Sequence, residues 1–232
     1  MNDKIHSLKL GYSNAFCIKS KNSLCLVDTG LKNNLAKIEK LLQQKGIQLK
    51  DIDIILITHA HPDHVGSLAE LALATDAQIW AHSLEAAIMR GEELIENANT
   101  SSLSPIGRSL QTLAPKPESM NFRVDRELQD AEILTEILAM LEVVHLPGHT
   151  KGQIGLWHRD TKTLLGGDVM MHIAKRLTMP LRAFSSDWEE TKKSIIKVAN
   201  MQPNNLYLGH GSPIIGNTQK PLQNLLNRIS NN

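Results

Sequence analysis

Cysteine is nearly absent from this chain, with Cys17 and Cys25 its two thiols among 232 residues. Two thiols make no disulfide framework, and a chain of this length needs none to build a hydrophobic core. They flank the polar turn Ser20-Lys21-Asn22-Ser23 and could meet across a hairpin. They read better as small buried apolar residues of a protein from a reducing compartment. Aromatic residues are also scarce, with three Trp, three Phe and two Tyr, which leaves little for stacking nucleic-acid bases. Neither sign of charge dominates: 25 Lys and Arg face 24 acids, for a formal charge of +1. That balance offers no sequence-wide attraction for nucleic acid or an anionic membrane. No apolar run approaches the length of a membrane span. The first residues, Met1 to His6, lack the charged and long apolar regions of a secretory signal. These absences predict a soluble cytoplasmic protein with no nucleic-acid or membrane partner.

What is present is ordinary globular composition, 41% apolar and 21% charged, read as one domain over residues 1–232. Residues 14–28 alternate around the turn at 20–23, predicting a hairpin. Leu35, Ile38, Leu41 and Leu42 recur at helical spacing, with Gly46 as a stop. Residues 52–58 are a nearly unbroken apolar run of strand length, as a strand covered on both faces requires. Pro62 fits the first turn of a helix, which is expected to continue over 65–74. A strand at 78–81 and a helix at 83–94 follow. Residues 97–121, rich in Asn, Ser, Pro and Lys, read as a lid or loop insertion. Short strands are expected at 133–134, 141–145, 154–158, 163–165 and 206–208. Ser186-Asp187-Trp188-Glu189 is a capping-box signature that opens a helix with Trp188, Ile195, Ile196 and Ala199 inward. A final helix spans 221–229. Strands interleaved with helices make an α/β layered domain, helices packed outside the sheets.

The sharpest feature is His59-Ala60-His61-Pro62-Asp63-His64. Three imidazoles and a carboxylate supply the N and O ligands that a borderline-soft divalent metal takes. They sit where a buried strand gives way to a helix, the place where α/β folds put ligands. A helix start splays its side chains, so four of them do not converge on one ion, and two neighbouring ions are the natural solution. Each ion then needs ligands from other strand ends. Pro147-Gly148-His149-Thr150, Gly166-Gly167-Asp168 and Gly209-His210-Gly211 each follow a predicted strand and supply them.

The order Thr58-His59-Ala60-His61-Pro62-Asp63-His64-Val65-Gly66, then Pro147-Gly148-His149-Thr150, Gly167-Asp168 and Gly209-His210-Gly211, resembles the metallo-β-lactamase superfamily. The early Val27-Asp28-Thr29-Gly30 extends the likeness, which runs from Asn14 to His210. The resemblance implies a four-layer αββα sandwich, two mixed β-sheets flanked by helices, with the metals at one sheet edge. It implies that His59, His61 and His149 hold a first metal, that Asp63, His64 and His210 hold a second, and that Asp168 bridges them. Asp28 is expected to orient the histidine-bearing loops rather than to ligate. Two divalent ions, zinc before manganese, iron or cobalt, would lower the pKa of a shared water. The resulting hydroxide would attack a carbonyl ester-type bond of a small-molecule substrate, a lactone or thioester, with Asp63 holding and passing on the proton.

The remaining histidines divide by position. His82 and His145 read as structural, His158 as solvated beside a turn, and His172 as a cleft residue open to substrate or proton transfer. Met170 and Met171 read as an apolar wall. Two other functions share parts of this pattern: a mononuclear iron dioxygenase acting on a sulfur substrate, and a non-catalytic metal-containing binding protein.

Overall fold

A computed structural model describes residues 4–21, 23–98, 100–113 and 120–231 of the protein. Asn22 of the polar turn, and residues 99 and 114–119 of the 97–121 segment, lie outside the described residues. The first sheet has six strands in chain order: β1 (Lys4–Lys9), β2 (Asn14–Lys19), β3 (Leu24–Val27), β4 (Ile54–Ile57), β5 (Gln78–His82) and β6 (Arg126–Leu128). β1, β2 and β3 are antiparallel, and β3 to β6 run parallel. The second sheet is ordered β13 (Ile214–Ile215), β12 (Asn205–Tyr207), β9 (Thr163–Leu165), β8 (Ile154–His158) and β7 (Leu141–His145). A separate hairpin pairs β10 (Met171–Ile173) with β11 (Arg176–Thr178).

Alternation of side chains in the strands accounts for the layers. In β4, Ile54 and Leu56 face the second sheet, among Phe16, Trp80, Val143 and Leu156. Ile55 and Ile57 face the other way, onto Ile38 and Leu42 of α1 (Leu35–Gln43) and Leu68 and Leu71 of α3 (Leu68–Ala74). All four residues are buried, which is why the run reads as continuously apolar. On the far side, Val144, Leu164 and Leu206 pack against α6 (Trp188–Asn200) and α7 (Gln219–Ser230). The result is helices, sheet, sheet, helices: the expected αββα sandwich. Pairing also settles the cysteines. Cys17 is opposite Leu26 and Cys25 opposite Ile18, so the two thiols point to opposite faces and into different cores. Both are free.

Several boundaries differ from expectation. The single helix expected from Pro62 through 65–74 is two, α2 (Pro62–Val65) and α3, separated by Gly66 and Ser67, of which Ser67 leaves helical geometry. At Gly66 the chain presses on the backbone of Leu31 and Lys32, and a Cβ would come within 2.4 Å of Lys32 N. The helix expected at 83–94 ends earlier, as α4 (Ser83–Met89). At 133–134, Ile133 alone forms an isolated bridge, to Glu142, rather than a strand. The cap of α6 is Asp187, not Ser186: its Oδ1 accepts Glu189 N and Glu190 N, both at 2.9 Å. The inward face of α6 carries Thr191, Ser194, Ile195 and Val198, and Ile196 is exposed. Within 97–121 lies a helix, α5 (Pro105–Leu113), whose Gln111 Nε2 donates to Ala183 O at 2.9 Å. No helix among the described residues is long and apolar enough to cross a membrane.

Candidate metal centre

Parallel strand direction gathers the site. β3 and β4 end side by side, bringing Asp28 to the His59–His64 loop. β9 and β12 are parallel, and β7 runs the same way because both β7 and β9 are antiparallel to β8. The chain therefore leaves β7, β9 and β12 at one common edge, toward His149, Asp168 and His210. Ile154 N donates to Thr58 O at 3.0 Å, joining the two sheets at that edge.

The structure brings all seven sequence-singled residues together there. Three groups have candidate ligand atoms within 4.8 Å of one another: His59, His61 and His149; His59, His64 and Asp168; and Asp63, His64 and His210. His210 Nε2 lies 3.0 Å from Asp168 Oδ2 and 3.2 Å from Asp63 Oδ2. His64 Nε2 is 3.5 Å from Asp168 Oδ1, and His149 Nε2 is 3.7 Å from Asp168 Oδ2. Asp168 thus stands between the two sets. Gly209 permits this spacing, since a Cβ there would sit 2.0 Å from Asp168 Oδ1.

Hydrogen bonds outside the ring assign the imidazole tautomers. His64 Nδ1 donates to Asp28 Oδ2 at 2.8 Å, and His210 Nδ1 to the Tyr12 carbonyl at 3.0 Å. Thr58 Oγ1 gives its own proton to Asp28 Oδ2, so it accepts from His59 Nδ1 at 3.1 Å. Ser185 Oγ donates to Leu181 O and accepts from His149 Nδ1 at 3.3 Å. Each of these four rings therefore turns its Nε2 inward. Nε2 of His59, His61, His64 and His149 and Oδ1 of Asp168 are buried without a hydrogen-bond partner. Five such atoms in one place would be costly in a metal-free protein. Their chemistry, imidazole nitrogen plus carboxylate, fits divalent cations.

Electrostatics divides the ring. Burial, reinforced by neighbouring imidazoles, pushes His59 well below its ordinary value and His61 down to about 3. His149 falls to about 4 through burial, which outweighs the pull of Asp168. Burial acts in the same direction on His64 and His210, but the carboxylates overcome it. Asp28, Asp168 and Asp63 raise His64 to about 9, and Asp168 and Asp63 raise His210 to about 11. Asp63 is depressed in return: burial opposes its ionisation, and His64 and His210 outweigh that.

Asp28 lies where the sequence placed it, touching Thr58 and His64 rather than entering the ring. His172 is adjacent rather than inside: its Nδ1 donates to Ser212 O at 2.6 Å and its backbone N to His210 O at 3.1 Å. His82 caps α4 by accepting Leu84 N, and its ring stacks on His145 at 4.6 Å. His158 is buried and paired with Thr161 Oγ1 at 2.8 Å, which corrects the expectation of a solvated ring. Met170 is fully buried in the outer core. Thr58, Ser185 and Tyr12 were not singled out by the sequence reading, nor was the fully buried Glu85. For Glu85 the signal was an acid on the buried stripe of α4 beside Ala86, Ile88 and Met89. Burial raises the Glu85 pKa against the hydrogen bonds it accepts.

The family model of the metallo-β-lactamase superfamily matches residues 8–210. The chain belongs to that superfamily. Among its relatives is a probable metallo-hydrolase, YflN, of Bacillus subtilis, 29% identical over 97% of this chain and 91% of that protein. The hydroxyacylglutathione hydrolase GloC of Haemophilus influenzae is 30% identical over 65% of this chain and 62% of its own. The human acyl-coenzyme A thioesterase MBLAC2 is 28% identical over 68% and 58%. Solved structures share the fold. TTHA1429 from Thermus thermophilus superposes with a TM-score of 0.72 at 21% identity, covering 98% of this chain and 79% of that one. TTHA1623, solved in a di-iron-bound form, gives 0.63 at 24%, covering 93% and 94%. As a member of the metallo-β-lactamase superfamily, the chain is a metal-dependent hydrolase.

Proposed function

We propose that this protein hydrolyses a carbonyl ester-type bond of a small molecule, a thioester before a lactone, with two divalent ions. His59, His61 and His149 would hold one ion, Asp63, His64 and His210 the other, and Asp168 both. Zinc suits these ligands, as do manganese, iron and cobalt. When bound, such ions supply Lewis acidity toward a carbonyl oxygen and activate water near neutral pH. The observation that carries this reading is the set of five buried, unpartnered atoms turned into one ring.

The chain's own residues do the rest. Thr58, Asp28, Ser185 and the Tyr12 carbonyl hold four imidazoles by Nδ1, so that the ligand geometry precedes the ions. The Asp63 side chain is 18% exposed against 3% for Asp168, so Asp63 faces the arriving substrate. Its carboxylate, held ionised by His64 and His210, accepts the proton released in the attack and returns it to the leaving thiol or alcohol. Thioesters come first because two relatives are named for cleaving acylated thiols.

Elemental analysis combined with a panel of acyl thioesters, lactones and phosphodiesters tests the reading. Two divalent ions per chain and thioester or lactone cleavage that stops on chelation and returns with metal are expected. A single iron with oxygen uptake on a sulfur substrate would replace it with a dioxygenase. Equal, negligible rates across the panel would replace it with a binding protein.

A further inference from the structure

Glu85 stands outside the ring of seven, and its hydrogen bonds connect two loops that arise from different sheets. Oε2 accepts Ala60 N at 2.7 Å, and Ala60 separates His59 from His61. Oε1 accepts Thr150 Oγ1 at 2.6 Å and Gly152 N at 2.9 Å, just beyond His149. Nothing at Asp63, His64 or His210 shares these bonds. The approach is close from both sides: a Cβ on Gly152 would lie 2.8 Å from Leu84 Cβ and 2.9 Å from Glu85 Cγ.

All three groups facing Glu85 act as donors, so both of its oxygens must accept. An amide in its place would keep one oxygen for Thr150 and Gly152 and turn an NH2 group against the Ala60 N–H. Two donors cannot share a 2.7 Å contact, and the backbone between His59 and His61 would have to move. Inside a buried, close-packed site that movement is not absorbed by solvent.

We propose that Glu85 is a positioning residue that sets His59, His61 and His149 at the spacing one divalent ion requires, leaving the Asp63, His64 and His210 set unaffected. This rests on the two-ion reading above. Chelated wild type, Glu85→Gln, His149→Ala and His210→Ala are titrated calorimetrically with zinc chloride, and bound ions are counted after dialysis. Wild type is expected to show two binding events. Glu85→Gln should weaken, by about 10- to 100-fold, the event that His149→Ala abolishes. It should preserve the event that His210→Ala abolishes. Wild-type affinities at both events, or equal weakening of both, would overturn the proposal. A wild type that takes up fewer than two ions would overturn the two-ion reading itself, and the proposal with it. Should Glu85→Gln fail to fold, Thr150→Val removes one of the three bonds at nearly constant volume. It is expected to weaken the same event by a smaller factor, and unchanged affinities in that variant would equally overturn the proposal.

Discussion

At the scale of single residues, Asp63 differs from its neighbours in combining contact with His210, at 3.2 Å, and partial exposure. An Asp63→Asn protein retains the His59, His61 and His149 set but has no carboxylate to take up a proton. Its kcat is expected to fall about 10²- to 10⁴-fold, while one ion per chain remains by elemental analysis. Full activity in that variant would exclude the role. The cysteines allow a second residue-scale prediction. Burial pushes the Cys17 thiol up to about 11 and Cys25 well above its ordinary value. The thiolate is the reactive form, so the native protein at pH 8 should resist iodoacetamide and take up two equivalents once unfolded. Mass spectrometry would show rapid native labelling if the cores were open.

At the scale of elements, the start of α6 does two jobs. Asp187 caps the helix through Glu189 N and Glu190 N, and its own N–H donates to Gly148 O at 2.9 Å. The adjacent Ser186 N donates to His149 O at 3.0 Å. Asp187→Ala should cost about 1 kcal/mol through the lost cap, a fall in Tm of about 2–4 °C for a domain of this size. Because the backbone bonds to Gly148 and His149 remain, metal content should hold. Loss of an ion in that variant would show that the side chain, not the backbone, orders the His149 loop. Elements also show what local pattern does and does not carry. β4 and α1 were legible because burial on two faces, or on one stripe, imprints a period on the sequence. β6, β10, β11 and β13, of two or three residues each, are too short to carry a period. The equally short β9 and β12 were legible only through the glycine-flanked Asp168 and His210 that follow them. Between α2 and α3, Gly66 lies against the backbone of Leu31 and Lys32, more than thirty residues away, a contact that no window over 62–74 contains.

At the scale of the molecule, the site is a concentration of buried charge that the fold must tolerate without metal. His64 and His210, raised to about 9 and about 11, favour the chelated folded state fully below their ordinary 6.5, and that contribution is lost as pH rises through 9 to 11. His61 and His149, lowered to about 3 and about 4, act in the other direction. Below 6.5 the unfolded chain takes up protons that these buried rings refuse, so stability falls as the solution is acidified. The chelated protein is therefore expected to have its highest Tm near pH 6.5, declining on both sides. Metal should raise Tm throughout the neutral range by binding the folded state alone. A chelated protein whose Tm is flat from pH 5 to 10 would contradict this division of the histidines.

The sequence by itself determined which residues could meet a metal and which elements would carry them. Ligand-type side chains placed just after apolar runs are a local pattern, and so is the alternation that buries β4 on both faces. Tertiary structure decided how those side chains are held. The tautomer of His59 depends on Thr58 giving its proton to Asp28, and that of His149 on Ser185 giving its proton to Leu181. Glu85 acquires its partners when strands from two sheets end at one edge, bringing Ala60 and Gly152 to one carboxylate. Hydrogen-bond direction and burial belong to groups distant in the chain, so no stretch of sequence contains them.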